Sequence, residues 1–302
     1  MASPNEMPSV GRRLLGNSPL PSKSPLDDSP GSALVVVRVS GEHNSLSAEA
    51  DELVQADFLS RDERRAAEES ATLTRRAQRL YGPALLRALA VETFGFRPGS
   101  VRVDREHGRP YLRVEGSRSI FASLSHRESV LVAAVSSTSI GVDFEQPASR
   151  TIAHEVRHEF CDEVELVSTQ ESSDPKTEAL ISWLHKEAYL KAVGVGLSVD
   201  PRSIEFVPVR GPADECSGDV ALRRRRTLVR PLPDDARSWT FGTANLDGTG
   251  MFVGAQEQPV HGIKCHSSNR ENFAGFGWRA VSFICEGSSP PSGCEEHAEG
   301  GS

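Results

Sequence analysis

The 302-residue sequence has no uninterrupted apolar run of the ~18 residues that a membrane-crossing helix needs, so no membrane span is expected. Cysteine is scarce: five residues, at 161, 216, 265, 285 and 294, odd in number and without C-x-x-C spacing. That excludes a disulfide framework as the main scaffold and suits a reducing cytosol. Positive charge is not in excess. Lys and Arg number 34 against 42 Asp and Glu, a net charge of −8, which argues against a general nucleic-acid binder. The N-terminus lacks an apolar signal core, because "RRLLGNSPLPS" is broken by Gly and Pro within a few residues. A cytoplasmic monomer is the expectation.

The hydrophobic fraction is also low, at 37%, and the two ends account for much of that. Residues 1–32 are dense in Ser, Pro, Gly and Asn with no apolar period, and "GSSPPSGCEEHAEGGS" resembles them; both read as disordered. A folded body over 33–257 is expected, and 258–302 reads as a largely disordered tail whose first part, 258–285, carries no clear pattern.

Within that body "ALVVVRVS" (33–40) reads as a strand by its β-branched run. "SLSAEADELVQADFLSRDERRAAEES" reads as helical. A second helix, "TRRAQRLYGPALLRALAVETFG" (74–95), ends at Gly95 and carries Arg75, Arg76 and Arg79 in its first half. Residues 100–116 alternate as strands about a turn. Residues 120–145 read as a turn, a strand over 129–136 and a further strand. Helical pattern returns at 152–170 and at 177–194, followed by three strand-like segments, "SIEFVPVR", "LRRRRTLVR" and "WTFGTANLDGTGMFVGAQ". Helix-then-strands thus occurs twice. The expected fold is α+β with two similar halves, 33–146 and 147–257, each a helix on a small, mainly antiparallel sheet.

Chemistry is concentrated in two segments. In "SWLHKEAYLKAVG" (182–194) a helical wheel places Glu187 and Lys191 inside the apolar stripe marked by Trp183 and Leu184. Charges on a buried helix edge cost desolvation unless something pairs with them. In "GVDFE" (141–145), a strand turns Val142 and Phe144 to one side and Asp143 and Glu145 to the other. Neighbouring carboxylates repel unless a cation or donors lie between them. Taken alone, "VDFE" also fits a solvated edge strand. Adding Glu187 and Lys191 favours Mg²⁺ with a diphosphate, since Mg²⁺ takes one or two carboxylates plus phosphate oxygens and water. "SLSHRES" (123–129) adds hydroxyls and His126, and "HGRPYL" (107–112) puts Arg109 in a Gly-Arg-Pro turn. These polar and basic groups suit phosphate oxygens.

"GRPYL", "SLSH", "GVDFE" and "WLHKEAYLKAVGVGL", in this order and at these separations, resemble the 4′-phosphopantetheinyl transferases. The resemblance is to the single-chain, pseudo-dimeric type that activates surfactin synthetase, and it covers residues from about 50 to 255. It implies transfer of the phosphopantetheinyl arm of coenzyme A to a serine of an apo acyl or peptidyl carrier protein in fatty-acid, polyketide or nonribosomal-peptide synthesis, releasing adenosine 3′,5′-bisphosphate. It also implies Mg²⁺ on Asp143, Glu145 and Glu187, with Glu187 and Lys191 catalytic, and coenzyme A held by Arg79, Arg76, Arg109, Ser125, His126 and Lys186. Trp183 is expected to pack. A non-catalytic subunit that binds coenzyme A or carrier protein is the alternative.

Three other signals compete. "HEVRH" (154–158) has the H-E-x-x-H spacing of a zinc protease but lacks a nearby third ligand, and chance accounts for it better. "RRRR" (223–226) could form a basic patch for an acidic carrier protein, but a solvated strand face accounts for it better, because alternate residues of a strand point opposite ways. Adjacent Cys265 and His266 make a poor metal pair without further ligands.

Overall fold

The computed structural model describes residues 32–38, 50–106, 108–115, 119–128, 130–208, 220–230, 239–246, 250–257, 263–273 and 276–285. The fold is α+β. Strand β1 (Ser32–Arg38) joins β2 (Val101–Glu106), β3 (Arg109–Val114), β4 (Ile120–Arg127) and β5 (Val130–Ser136) in an antiparallel sheet of order β1-β5-β4-β3-β2. A second sheet runs β6-β10-β9-β8-β7, from β6 (Ile140–Glu145), β7 (Glu205–Pro208), β8 (Val220–Arg230), β9 (Trp239–Leu246) and β10 (Gly250–Glu257). β11 (Ile263–Phe273) and β12 (Phe276–Cys285) form a hairpin in the region that the sequence reads as a tail. The expected disorder of 1–31 and 286–302 concerns residues outside those described, as do the side chains of "RRRR", Cys265 and His266.

Helices follow the first strand of each five-stranded sheet. The first predicted helix is broken: residues 50–55 are helical, Asp57 takes a positive φ of 61°, and α1 (Arg61–Glu68) restarts behind a Ser60–Glu63 capping box. Helix α2 (Leu73–Phe94) starts on Thr72, whose side chain accepts from the Arg75 N–H, and stops at Gly95 with φ 71°. Its apolar side packs on the first sheet in a core that includes Leu80, Leu85, Leu89, Leu112 and Leu131. Buried Arg87 ties the preceding segment to α2 by donating to the carbonyls of Phe58 and Val101 and to Glu63.

Between β6 and β7 run α3 (Ser149–Glu155), α4 (Glu163–Glu171) and α5 (Pro175–Val193), and α5 packs on β6 and β10. α5 is bounded by Asp174, which caps the Thr177 N–H, and by Gly194 in the left-handed conformation that a side chain would disfavour. Its core partners include Phe160, Phe206, Trp239 and Phe241, with buried His185 packed against the touching Phe206 and Phe241 rings of β7 and β9. Two strand expectations are corrected. Residues 120–127 form β4 rather than a turn, and "WTFGTANLDGTGMFVGAQ" supplies two strands rather than one. Among the described residues no helix is long and apolar enough to cross a membrane.

Candidate active site

The site begins with an open strand edge. β6 is terminal in its sheet and pairs with β10 on one side only. The N–H groups of Val142 and Phe144 therefore need acceptors on the other side. β4 of the first sheet supplies them: the Val142 N–H donates to Ser123 Oγ at 3.0 Å and the Phe144 N–H to Ser125 Oγ at 3.3 Å. Two seryl hydroxyls thus join the sheets and fix β6 in register with β4.

That junction places Asp143. Its side chain is buried, and its Oδ1 accepts from Ser125 Oγ at 2.8 Å and from Lys191 Nζ at 2.5 Å. Lys191 Nζ also reaches Ser125 Oγ at 3.3 Å. One proton and two lone pairs are all a hydroxyl has, and Ser125 uses them on Asp143, Phe144 and Lys191. Ser125, expected to touch coenzyme A, is engaged here in positioning.

Glu145 follows on the same strand face. Its Oε2 accepts from Ser149 Oγ at 2.6 Å, at the start of α3, and lies 3.4 Å from Arg127 Nε. Glu187, half-buried one turn before Lys191, has a carboxyl pushed above its ordinary range. Burial is the largest cause, followed by the Asp143 charge; Lys191 opposes the rise and Glu145 adds to it. Asp143, Glu145, Glu187 and Lys191 thus form one electrostatic unit across β6 and α5.

Basic groups and an imidazole follow on neighbouring elements. His126, at the end of β4, lies 3.4 Å from Arg75 Nη1. Burial and then Arg75 hold the imidazole below its usual range, so it is neutral at physiological pH. Arg109 lies over the Phe121 ring at 5.3 Å, with its stem against Gly194 at the end of α5. Of the arginines on α2, Arg75 is the one drawn to His126. Arg79 donates to the Ala66 carbonyl at 2.8 Å, and Arg76 lies 3.9 Å from Glu68, so both lean toward α1.

Lys186 is a correction. The motif suggests a coenzyme A contact, yet the side chain is fully buried. Its ammonium donates to the carbonyls of Phe160 at 2.6 Å and Pro201 at 3.0 Å and pairs with Glu165 Oε2 at 2.5 Å. The helix carries Lys186 to the α4 side, while Glu187 one residue on faces β6. Trp183 packs at 5.1 Å from Phe160, as its apolar neighbours indicate.

The donor set suits a hard divalent cation, since it offers carboxylates and no sulfur or imidazole. Among the described residues no three Asp, Glu, His or Cys side chains are gathered closely enough to hold a metal ion. Asp143 and Glu145 instead carry Lys191 and Arg127 as counter-ions. These carboxylates accept cationic partners. "HEVRH" does not form one helical face, because α3 ends at Glu155 and His158 lies in a 3-10 turn at Arg157–Glu159, paired with Glu159.

Sequence reasoning missed Ser149 and Arg127. Ser149 follows Glu145 by four residues, a spacing that a helix start makes readable. Arg127 is joined to Glu145 only by the docking of the two sheets, and nothing local signals it.

The family model described as the 4′-phosphopantetheinyl transferase superfamily matches residues 139–232, which run from β6 through α5 into β8. A 4′-phosphopantetheinyl transferase of Bacillus subtilis is 29% identical over 123 residues, 40% of this chain and 53% of that protein. The 4′-phosphopantetheinyl transferase HetI of Nostoc sp. is 28% identical over 162 residues, 47% of this chain and 68% of that protein. The chain thus spans about half the length of the Bacillus relative. The part of the chain that matches the 4′-phosphopantetheinyl transferase superfamily is thus the segment that carries Asp143, Glu145, Glu187 and Lys191.

Proposed function

We propose that the protein transfers the 4′-phosphopantetheine arm of coenzyme A to a serine of an apo carrier protein. The serine oxygen bonds to the phosphorus nearer the pantetheine. The bond from that phosphorus to the bridging oxygen breaks, and adenosine 3′,5′-bisphosphate leaves with the electron pair. The observation that carries this reading is the meeting of Asp143, Glu145, Glu187 and Lys191 beside His126 and Arg109, within the segment matched to the superfamily.

Asp143, Glu145 and Glu187 would hold Mg²⁺, which when bound withdraws charge from the diphosphate. The rest falls to the chain's own groups. Glu187 binds a proton more readily than an ordinary glutamate, which suits a base that takes the proton of the serine hydroxyl. Lys191 meets the charge that builds on the leaving phosphate. Arg109, Arg75 and His126 would donate hydrogen bonds to phosphate oxygens of coenzyme A. Most of the rate enhancement comes from positioning and charge neutralisation.

The shared strand order, in which each five-stranded sheet places its fifth strand beside its first, supports two equivalent halves, but the division falls between β5 and β6, before residue 140, rather than at the expected 146. The site lies at their junction on β4 and β6. Incubation of apo acyl, polyketide and peptidyl carriers with the protein, coenzyme A and Mg²⁺, read by intact mass, tests the reading. A gain of the whole arm on a serine is expected. Coenzyme A binding without modification of any carrier would favour the accessory-subunit reading.

A further inference from the structure

Three carboxylates in the site face two cationic side chains, and the more buried pair is the tighter. Lys191 Nζ stands 2.5 Å from Asp143 Oδ1, while Arg127 lies 3.4 Å from Glu145 and is largely exposed. Lys191 therefore occupies one carboxylate oxygen that a metal ion would need. The two partners are not held alike. Asp143 is 8% exposed in its side chain and tied by Ser125 Oγ, which is itself fixed by the Phe144 N–H. The Lys191 side chain is 31% exposed, on a long four-carbon stem at the last turn of α5. If the pair opens, the lysine leaves and the aspartate stays.

We infer that Lys191 is a resident counter-ion for Asp143 that a divalent cation displaces, so that metal binding releases the ammonium for the phosphate of the substrate. The inference rests on the metal and coenzyme A reading above. Without a cation, burying Asp143 beside two other carboxylates is costly, and Lys191 offsets that cost. With a divalent cation on Asp143, an ammonium at the same oxygen is repelled and seeks a new anion. The loaded site offers one in the diphosphate. Cation and substrate therefore promote each other's binding through a single side chain, and the coupling must be reciprocal.

The competition sets the direction of each effect. Removing the ammonium while keeping its stem should strengthen cation binding to the free protein, the opposite of what a metal-supporting residue would do. It should also shrink the gain that substrate gives to cation affinity.

The experiment is calorimetric titration of Mg²⁺ into the full chain, with and without saturating coenzyme A, for wild type, Lys191→Met and Lys191→Arg. Thermal melts confirm that each is folded. Without coenzyme A, Lys191→Met should bind Mg²⁺ about tenfold more tightly than wild type, within the usual span of site-to-site coupling. Lys191→Arg, which retains the charge, should stay near wild type. Coenzyme A should raise the Mg²⁺ affinity of wild type by a clearly larger factor than that of Lys191→Met. Equal or weaker Mg²⁺ binding by folded Lys191→Met overturns the counter-ion exchange and leaves the metal reading intact. Absence of millimolar binding in all three proteins, with and without coenzyme A, overturns the metal site itself and the exchange with it.

Discussion

Gly141 of β6 lies directly beneath Ala188 of α5: a Cβ on the glycine would overlap the Ala188 carbonyl oxygen and come within 2.7 Å of the Ala192 N–H nitrogen. Backbone, not a flexible side-chain tip, occupies that space. The contact sets how closely the helix carrying Glu187 and Lys191 sits against the strand carrying Asp143 and Glu145. Gly141→Ala should therefore force the two elements apart at a cost of about 3 kcal/mol, the upper part of the range for overpacking. Chemical denaturation should show the loss, and the remaining folded protein should transfer more slowly. Wild-type stability in the variant would mean that the helix can shift without consequence.

Behind the same helix, Lys186 and Glu165 form a buried pair whose worth depends on both members. Removing one strands a charge. Lys186→Met should destabilise by about 3–5 kcal/mol, because Glu165 is left buried without its ammonium. Lys186→Met combined with Glu165→Leu should recover most of that. Denaturation midpoints of the two singles and the double measure it. Additive losses in the double would show that the two side chains act independently.

How far this arrangement was legible varies by element. α2 and α5 were readable because their ends are marked locally: Gly95 and Gly194 close them in the left-handed conformation, and Asp174-Pro175 opens the second. β4 was not. Ser123 and Ser125 interrupt its apolar alternation, and they are buried only because the edge of β6, 19 residues on, presents N–H groups to them. Lys186 misled for the same reason. Its carboxylate partner is 21 positions upstream on another helix, so periodicity shows a charge and hides its pairing. One signal was present and unread: Ser60-x-x-Glu63 marks a helix start. The acidic residues were found because two of them share a strand face and the third lies on an apolar helix stripe.

The H-E-x-x-H spacing should prove inert. α3 stops before His158, whose ring is exposed and pairs with Glu159. His154→Ala and His158→Ala should leave carrier modification within about twofold of wild type, as surface substitutions away from special features usually do. The comparison is one of initial rates on a single apo carrier, with zinc measured in the purified protein. A large loss together with stoichiometric zinc would restore the metalloprotease reading.

Glu187 offers a separation of function from stability. Burial, Asp143 and Glu145 raise its carboxyl above the ordinary glutamate range, so the folded state holds the proton more tightly than the unfolded chain does. The sign follows from linkage: protonation of such a group favours folding, and its ionised form opposes folding once the pH exceeds the raised value. Glu187→Gln replaces the ionised carboxylate by a neutral group of the same shape. The variant should melt above wild type at pH 8, where the wild-type carboxylate is charged. The advantage should shrink as the pH falls, and vanish below the ordinary glutamate value, where the wild-type group is protonated in both states. Transfer should move the opposite way, falling at least about 100-fold, since loss of one charge-stabilising group commonly costs on the order of 3 kcal/mol in the transition state. Melting curves from pH 4 to pH 8, paired with single-turnover rates on one apo carrier, measure both. A variant that melts below wild type at pH 8 and still transfers normally would make Glu187 a structural residue, and the strain in this helix would then serve the fold alone.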